Sequence, residues 1–160
     1  MVNSDVIHLA THYVADERSY LLSAFPLARE PGRDVQVSES DGKLQVYEIY
    51  AMNLSRPRLA VLAACRTGIE KTYEGEGAIS VSRPFIAAGV PVVVASLWPV
   101  ESDSTAALMI SFHRHRVRDH LSTSRALRLA QTEMIHGADA RLHHPYYWAA
   151  FAVIGGYSIY

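Results

Sequence analysis

Leu59-Ala-Val-Leu-Ala-Ala-Cys65-Arg-Thr-Gly68 is the stretch on which the fold turns. Six apolar residues run without a polar interruption, after the break at Arg56-Pro57-Arg58 and before a cysteine and a turn glycine. A run this short and this uniform predicts a strand covered on both faces, as in the parallel sheets of α/β proteins. In open sheets of that kind, active-site crevices form at the carboxyl ends of the strands. Cys65 is the only cysteine of the chain, so it forms no internal disulfide and no Cys-rich zinc site. Two roles remain: a small core residue, or a reactive nucleophile. Its position at a strand end, followed by a turn, favours the second.

Working outward, three more runs resemble the first. Val6-Ile-His-Leu-Ala10 ends at Thr11-His12; Pro91-Val-Val-Val-Ala-Ser96 is closed by Trp98-Pro99; Ala149-Ala-Phe-Ala-Val-Ile154 precedes Gly155-Gly156. Between them, residues 16–41 mix Pro26, Pro31 and Gly32 with charges and read mainly as loop. Asp41-Gly42 signals a turn, with a short strand at Lys43–Val46 and a short helix over Tyr47–Met52. Helical spacing over Glu76–Ala88 stops at Gly89, with Pro84 predicting a kink or an early end. Ser102 is expected to cap a helix reaching Val117 that buries Thr105, Leu108, Met109 and Phe112. A further helix over Thr123–His136 ends at Gly137. Strands alternating with helices predict an α/β fold with a mostly parallel sheet and flanking helices, as one domain over residues 1–160.

A length of 160 residues suits one domain, and 49% hydrophobic content with 19% charged is ordinary for a globular chain. The formal net charge of −1 argues against a protein whose main work is binding nucleic acid or an anionic membrane. No apolar stretch approaches the roughly 18 residues of a membrane-spanning helix. The start, Met-Val-Asn-Ser-Asp, lacks a basic region followed by an apolar one, so no secretory signal is read there. One cysteine and no signal lead to the expectation of a cytoplasmic protein. There is no internal repeat and no glycine-rich phosphate loop, and neither a metal nor an organic cofactor is expected.

Three strand ends carry chemistry-bearing side chains: His12, Cys65, and Ser96 with Trp98. If the three strands run parallel and adjacent, these ends share one crevice. Fifty-three positions separate His12 from Cys65, ample for the crossover that parallel neighbours require. An imidazole beside the thiol would supply the thiolate, and backbone N–H groups at the turn after Cys65 would stabilise an oxyanion. Taken alone, each residue also has an ordinary structural role. His8 reads as a buried strand histidine with a hydrogen-bonded ring. His113 and His115 are two apart on a helix, a poor metal pair, and the run His113-Arg-His-Arg-Val-Arg118 reads as a solvated face. Tyr146-Tyr147-Trp148 reads as packing for the last strand.

Five blocks in order resemble the C-terminal part of a CHAT domain, the caspase-like peptidase domain found with tetratricopeptide repeats. They are Ile7-His-Leu-Ala-Thr-His12; Leu59 through Gly68; Gly75-Glu-Gly-Ala-Ile79 with Phe85-Ile-Ala-Ala-Gly89; Val93-Val-Ala-Ser-Leu-Trp-Pro-Val100; and His144-Pro-Tyr-Tyr-Trp-Ala-Ala-Phe-Ala-Val-Ile-Gly155. The resemblance implies a caspase-like fold and a cysteine endopeptidase acting on a protein substrate, related to caspases, separases and gingipains. It assigns Cys65 as nucleophile and His12 as general base and acid, in a dyad with no obligatory third residue. The N–H groups of Tyr13 and Cys65 would form the oxyanion hole, and Trp98, Glu101 and Asp103 would contact substrate. A tetratricopeptide-repeat or other regulatory partner is compatible with the likeness.

The chain departs from the family pattern at four places. Tyr13 replaces the usual glycine after the histidine, with a side chain expected to alter the approach of substrate. Arg66 replaces a glutamate after the cysteine, which would favour the thiolate. Ser102 takes one of two usual acidic positions after Trp98-Pro-Val100, leaving Glu101 or Asp103 to bind a basic residue before the cut. The histidine strand begins about five residues from Met1, so the first strands of the full domain are expected to be missing. That last departure supports an alternative: a catalytically silent, truncated module that works by interaction.

Overall fold

The computed structural model describes residues 1–28, 42–63 and 81–156. Its central sheet has four strands: β1 (Val6–Leu9), β4 (Leu59–Leu62), β5 (Val92–Ser96) and β6 (Phe151–Gly155), in that spatial order. β1 pairs with β4 and β4 with β5 in parallel, while β6 runs antiparallel to β5. The expected α/β fold with a mostly parallel sheet is therefore present. Register aligns Leu9 with Leu62 and Leu62 with Ala95, so β1, β4 and β5 end together along one edge. Ser96 lies opposite Phe151, which brings the start of β6 to that same edge.

All four residues of β4 and all five of β5 are buried, because helices cover both faces. Alternation divides them. Ala60, Leu62, Val93 and Ala95 face a core containing Phe25, Ile49, Leu54, Phe85 and Val90. Leu59, Val61, Val92 and Val94 face a second core containing Leu108, Phe112, Ala126, Leu127 and Ala130.

The first layer holds an antiparallel hairpin of β2 (Ala24–Pro26) and β3 (Lys43–Gln45), then α1 (Val46–Ala51) and α2 (Ser82–Ala87). Within the stretch 16–41 expected to be mainly loop, strand β2 and a 3-10 turn at Tyr20–Leu22 are a correction, and residues 29–41 lie outside the described residues. Phe25 is fully buried, but the three-residue strand Ala24-Phe25-Pro26 is too short for a period-2 reading. α1 begins where the Glu48 carboxylate accepts the Gln45 N–H at 2.7 Å. Pro84 does not kink α2. It sits in the first turn, where no N–H partner is needed, and its carbonyl accepts the Ala88 N–H at 2.9 Å. Gly89 then stops the chain at φ +114°, where an added Cβ would sit 3.1 Å from the Ser55 backbone.

The second layer is α3 (Ser102–Val117) packed on α4 (Thr123–His136), the boundaries the periodicity predicts. Thr105, Leu108, Met109 and Phe112 are buried as expected. Glu101, not Ser102, occupies the cap position; Ser102 is the first helical residue and no side-chain cap is made. The expected solvated face at His113–Arg118 is also corrected. Arg116 is 1% exposed, on the same stripe as Leu108, Met109 and Phe112. His115 is clamped by Asp119 at 2.6 Å and by Glu133 of α4 at 2.9 Å. Glu133 also accepts from Arg114 at 2.6 Å and from the Ser111 hydroxyl. A 3-10 turn (Ala140–His143) and α5 (Pro145–Trp148) lead into β6. Among the described residues, no helix is long and apolar enough to cross a membrane.

Candidate active site

The sheet edge where β1, β4 and β5 end carries the expected chemistry-bearing residues, with one gap. Cys65, its following turn and Arg66 lie outside the described residues. What is described is the approach to them. Beyond Leu62 the Ala63 N–H still donates to the Leu9 carbonyl at 3.0 Å, so β1 and β4 remain paired to their carboxyl ends. The chain reaches His12 three residues beyond Leu9 and enters the Cys65 segment directly after Ala63.

His12 is exposed, and the segment beneath it is anchored. The Thr11 hydroxyl donates to the Pro26 carbonyl at 2.7 Å, and Val14 and Ala24 exchange backbone hydrogen bonds at 2.9 Å. Between these anchors Tyr13 turns inward. Its residue is 7% exposed, and its ring lies 5.2 Å from that of Phe25. The expectation that the Tyr13 side chain intrudes on substrate is thus corrected: the ring fills the first core, and the neighbouring His12 is turned out. The loop is further tied by Asp16, whose carboxylate accepts the N–H groups of Arg18 at 2.8 Å and Ser19 at 3.1 Å. Those bonds, the Arg18 one foremost, hold its pKa below the ordinary carboxylate value.

On the β5 side the rim is built around Trp98. Its indole N–H donates to the Tyr146 carbonyl at 3.2 Å, and the Leu97 N–H donates to the Ala150 carbonyl at 2.7 Å. Trp98 also packs against the second core. Glu101 follows at the start of α3, its carbonyl accepting the Thr105 N–H at 3.1 Å and the Ser104 hydroxyl at 3.2 Å.

Glu101 and Asp103 come together in an open groove also lined by Ser104, Asp139, Arg141 and Tyr147. Arg141 engages Asp139 with two bonds, Nε to Oδ1 at 3.1 Å and a terminal nitrogen to Oδ2 at 2.7 Å. That pairing lowers the Asp139 pKa and raises that of Arg141. With Asp139 neutralised by its partner, Glu101 and Asp103 give the groove its negative charge. Sequence reasoning named both acids and read Tyr147 as packing, but missed Asp139 and Arg141, which reach the groove only through the turn before α5. Ser102 does not line it, and neither does His12.

A family model described as the CHAT domain matches residues 2–156. The chain belongs to the CHAT domain family. This family is caspase-like, and the mostly parallel four-stranded sheet flanked by helices agrees with that fold. The match spans every described strand and helix of the domain. No curated protein matches the sequence. Family membership therefore supports a protease-like module.

Proposed function

We propose that this CHAT domain is a caspase-like cysteine endopeptidase with Cys65 as nucleophile and His12 as its base. The observation that carries this reading is the parallel pairing of β1 with β4 to their carboxyl ends, one strand leading to His12 and the other to Cys65. In the proposed reaction His12 takes the thiol proton and the Cys65 sulfur attacks the scissile carbonyl. His12 then gives the proton to the leaving amine, and a water activated by the same imidazole hydrolyses the acyl-enzyme. The backbone N–H groups of Tyr13 and Cys65 are assigned to the oxyanion by the family likeness. Neither metal nor organic cofactor takes part in this scheme.

The acidic groove supports a preference for a lysine or arginine near the cut. Glu101 and Asp103 would attract the side chain, and Trp98 would supply the wall beside it. A protein substrate, a regulatory partner such as a tetratricopeptide-repeat segment, and a cytoplasmic setting belong to the same proposal.

Cleavage of a peptide library by the wild-type chain and by Cys65→Ala tests it. The expected result is cuts next to basic residues, lost in Cys65→Ala, with the basic preference reduced in Glu101→Gln/Asp103→Asn. Cleavage that persists in Cys65→Ala overturns the mechanism. The other reading, a silent interaction module, is favoured by β1 lying at the edge of the sheet. It predicts no cleavage and a Cys65 that reacts like a free thiol.

A further inference from the structure

His8 and His113 face each other where β1 meets α3. His8 sits within β1, on the face opposite Ile7 and Leu9, which lie in the first core. Its own face is the one turned to α3, since Val6, two residues earlier, packs against the second core. Its Nδ1 lies 3.2 Å from Nε2 of His113, 105 positions away in the chain. The ring centroids are 5.1 Å apart with planes tilted by 37°, so the rings meet at their nitrogens, one N–H donating to the other's lone pair. The Phe112 ring, 5.0 Å from that of His113, backs the contact. Among the described residues β1 is an edge strand with β4 as its one partner, so this bond ties a second side of the strand that leads to His12.

We propose that the His8–His113 bond is an acid-opened latch holding the edge strand β1 against α3. A pair of imidazoles tolerates one extra proton, because a cationic ring still donates to a neutral neighbour. A second proton leaves no lone pair between the two nitrogens, and two cations then face each other. The surroundings oppose that state. Arg116, 1% exposed and three residues on from His113, adds another positive charge. From β4 the residue in register with His8 is Val61, and that whole strand is apolar. The carboxylates of the neighbouring elements are engaged elsewhere. Asp5, before β1, lies 3.3 Å from Arg56; Asp119 holds His115; Glu133 of α4 binds Arg114 and His115. Arg58, exposed at the entry to β4, brings only further positive charge.

Neither ring owes its shift to a carboxylate. Burial, then the His8 and Arg116 charges, lowers the pKa of His113 to about 4, and burial lowers that of His8. When β1 parts from α3, His113 regains its ordinary 6.5. The open form thus takes up a proton that the closed form refuses, so opening is favoured progressively as pH falls from 6.5 toward 4. At neutral pH the latch is closed. Its opening loosens the approach to His12, and that consequence alone rests on the proposed dyad.

Native-state hydrogen exchange of the full 160-residue chain between pH 7 and pH 4, corrected for the intrinsic rate of each amide, tests the latch. It reads no cleavage, so its outcome is separate from that of the proposed activity. Protection of the β1–β4 ladder should fall by about a hundredfold across this range. At pH 4 that exchange should depend little on low urea, as local opening does, whereas the β5–β6 ladder should exchange through the urea-steep global opening. His113→Gln, whose amide can still bond to His8 but does not titrate, should limit the loss to less than about tenfold, and His8→Gln should act alike. Circular dichroism at pH 7 establishes that both variants fold. Cys65→Ser/His12→Ala should lose protection as the wild type does, since neither residue belongs to the latch. A β1–β4 ladder protected down to pH 4, a loss as large in the glutamine variants, exchange only through global opening, or a loss that vanishes in the dyad variant overturns the inference.

Discussion

The two faces of the sheet are built from different materials. On the α1/α2 face the contacts are apolar and aromatic: Tyr13 against Phe25, and Phe25 against Phe85 at 6.1 Å, with Leu, Val and Ile around them. On the α3/α4 face an apolar stripe is threaded with Arg116, the Ser111–Glu133–His115–Asp119 network and the His8–His113 pair. The core of the first face is held by area and shape, which pH does not touch. The second face carries the histidines with shifted pKa values, so the histidine-range pH response of the fold belongs to it. The candidate site draws on both, since His12 stands over the first face and Glu101 and Asp103 open the second.

The largest expected effect comes from the apolar face. Phe85 is fully buried, and Phe85→Ala should cost about 3–5 kcal/mol of stability. Urea denaturation should give the same loss at acidic and at neutral pH. A loss that changes with pH would break the contrast between the faces.

The next effect is the acid response of the other face. His113 has its pKa depressed to about 4, so below its ordinary value of 6.5 the unfolded chain binds a proton that the folded chain refuses. Stability should therefore fall as pH drops from 6.5 toward 4, and His113→Gln should flatten that fall. His115 works in the opposite direction. Its bond to Asp119 raises its pKa, so its contribution is present below about pH 6.5 and fades as pH rises through the raised value. The pKa of Glu133 is lowered, chiefly by the Ser111 hydroxyl, so its contribution is lost only as pH falls through that lowered value. Urea midpoints across this range check the signs. An acid fall as steep in His113→Gln as in the wild type would contradict the assignment.

The smallest effect concerns the start of α3, where the groove begins. Because Glu101 holds the cap position and Ser102 makes no cap bond, Ser102→Ala should change stability by less than about 0.5 kcal/mol. A loss near the ~1 kcal/mol of a working cap would restore Ser102 to that role.

The same contrast explains what could be read from the residues alone. The four strands of the sheet and the bounds of α3 and α4 were legible because uniform apolar runs and a 3.6-residue period carry them. Strand β2 was not, since Ala24-Phe25-Pro26 is too short for alternation to show and draws its pairing from β3. Arg116 was misassigned although its spacing from Phe112, Met109 and Leu108 places it on the buried stripe; its charge outweighed its period. His8 was expected to be buried with a bonded ring. The bond is present, but the residue is exposed and its partner is 105 positions away, a contact no local pattern encodes. In the acidic groove, Glu101 and Asp103 were named from the family likeness, whereas Asp139 and Arg141 enter only through tertiary packing.

The central claim is that His12 activates Cys65, and labelling of Cys65 by an acyloxymethyl-ketone warhead in wild type and His12→Ala tests it most directly. If the imidazole is the base, labelling should slow by about 10²–10⁴-fold in His12→Ala and vanish in Cys65→Ala. Equal labelling of wild type and His12→Ala would contradict the dyad.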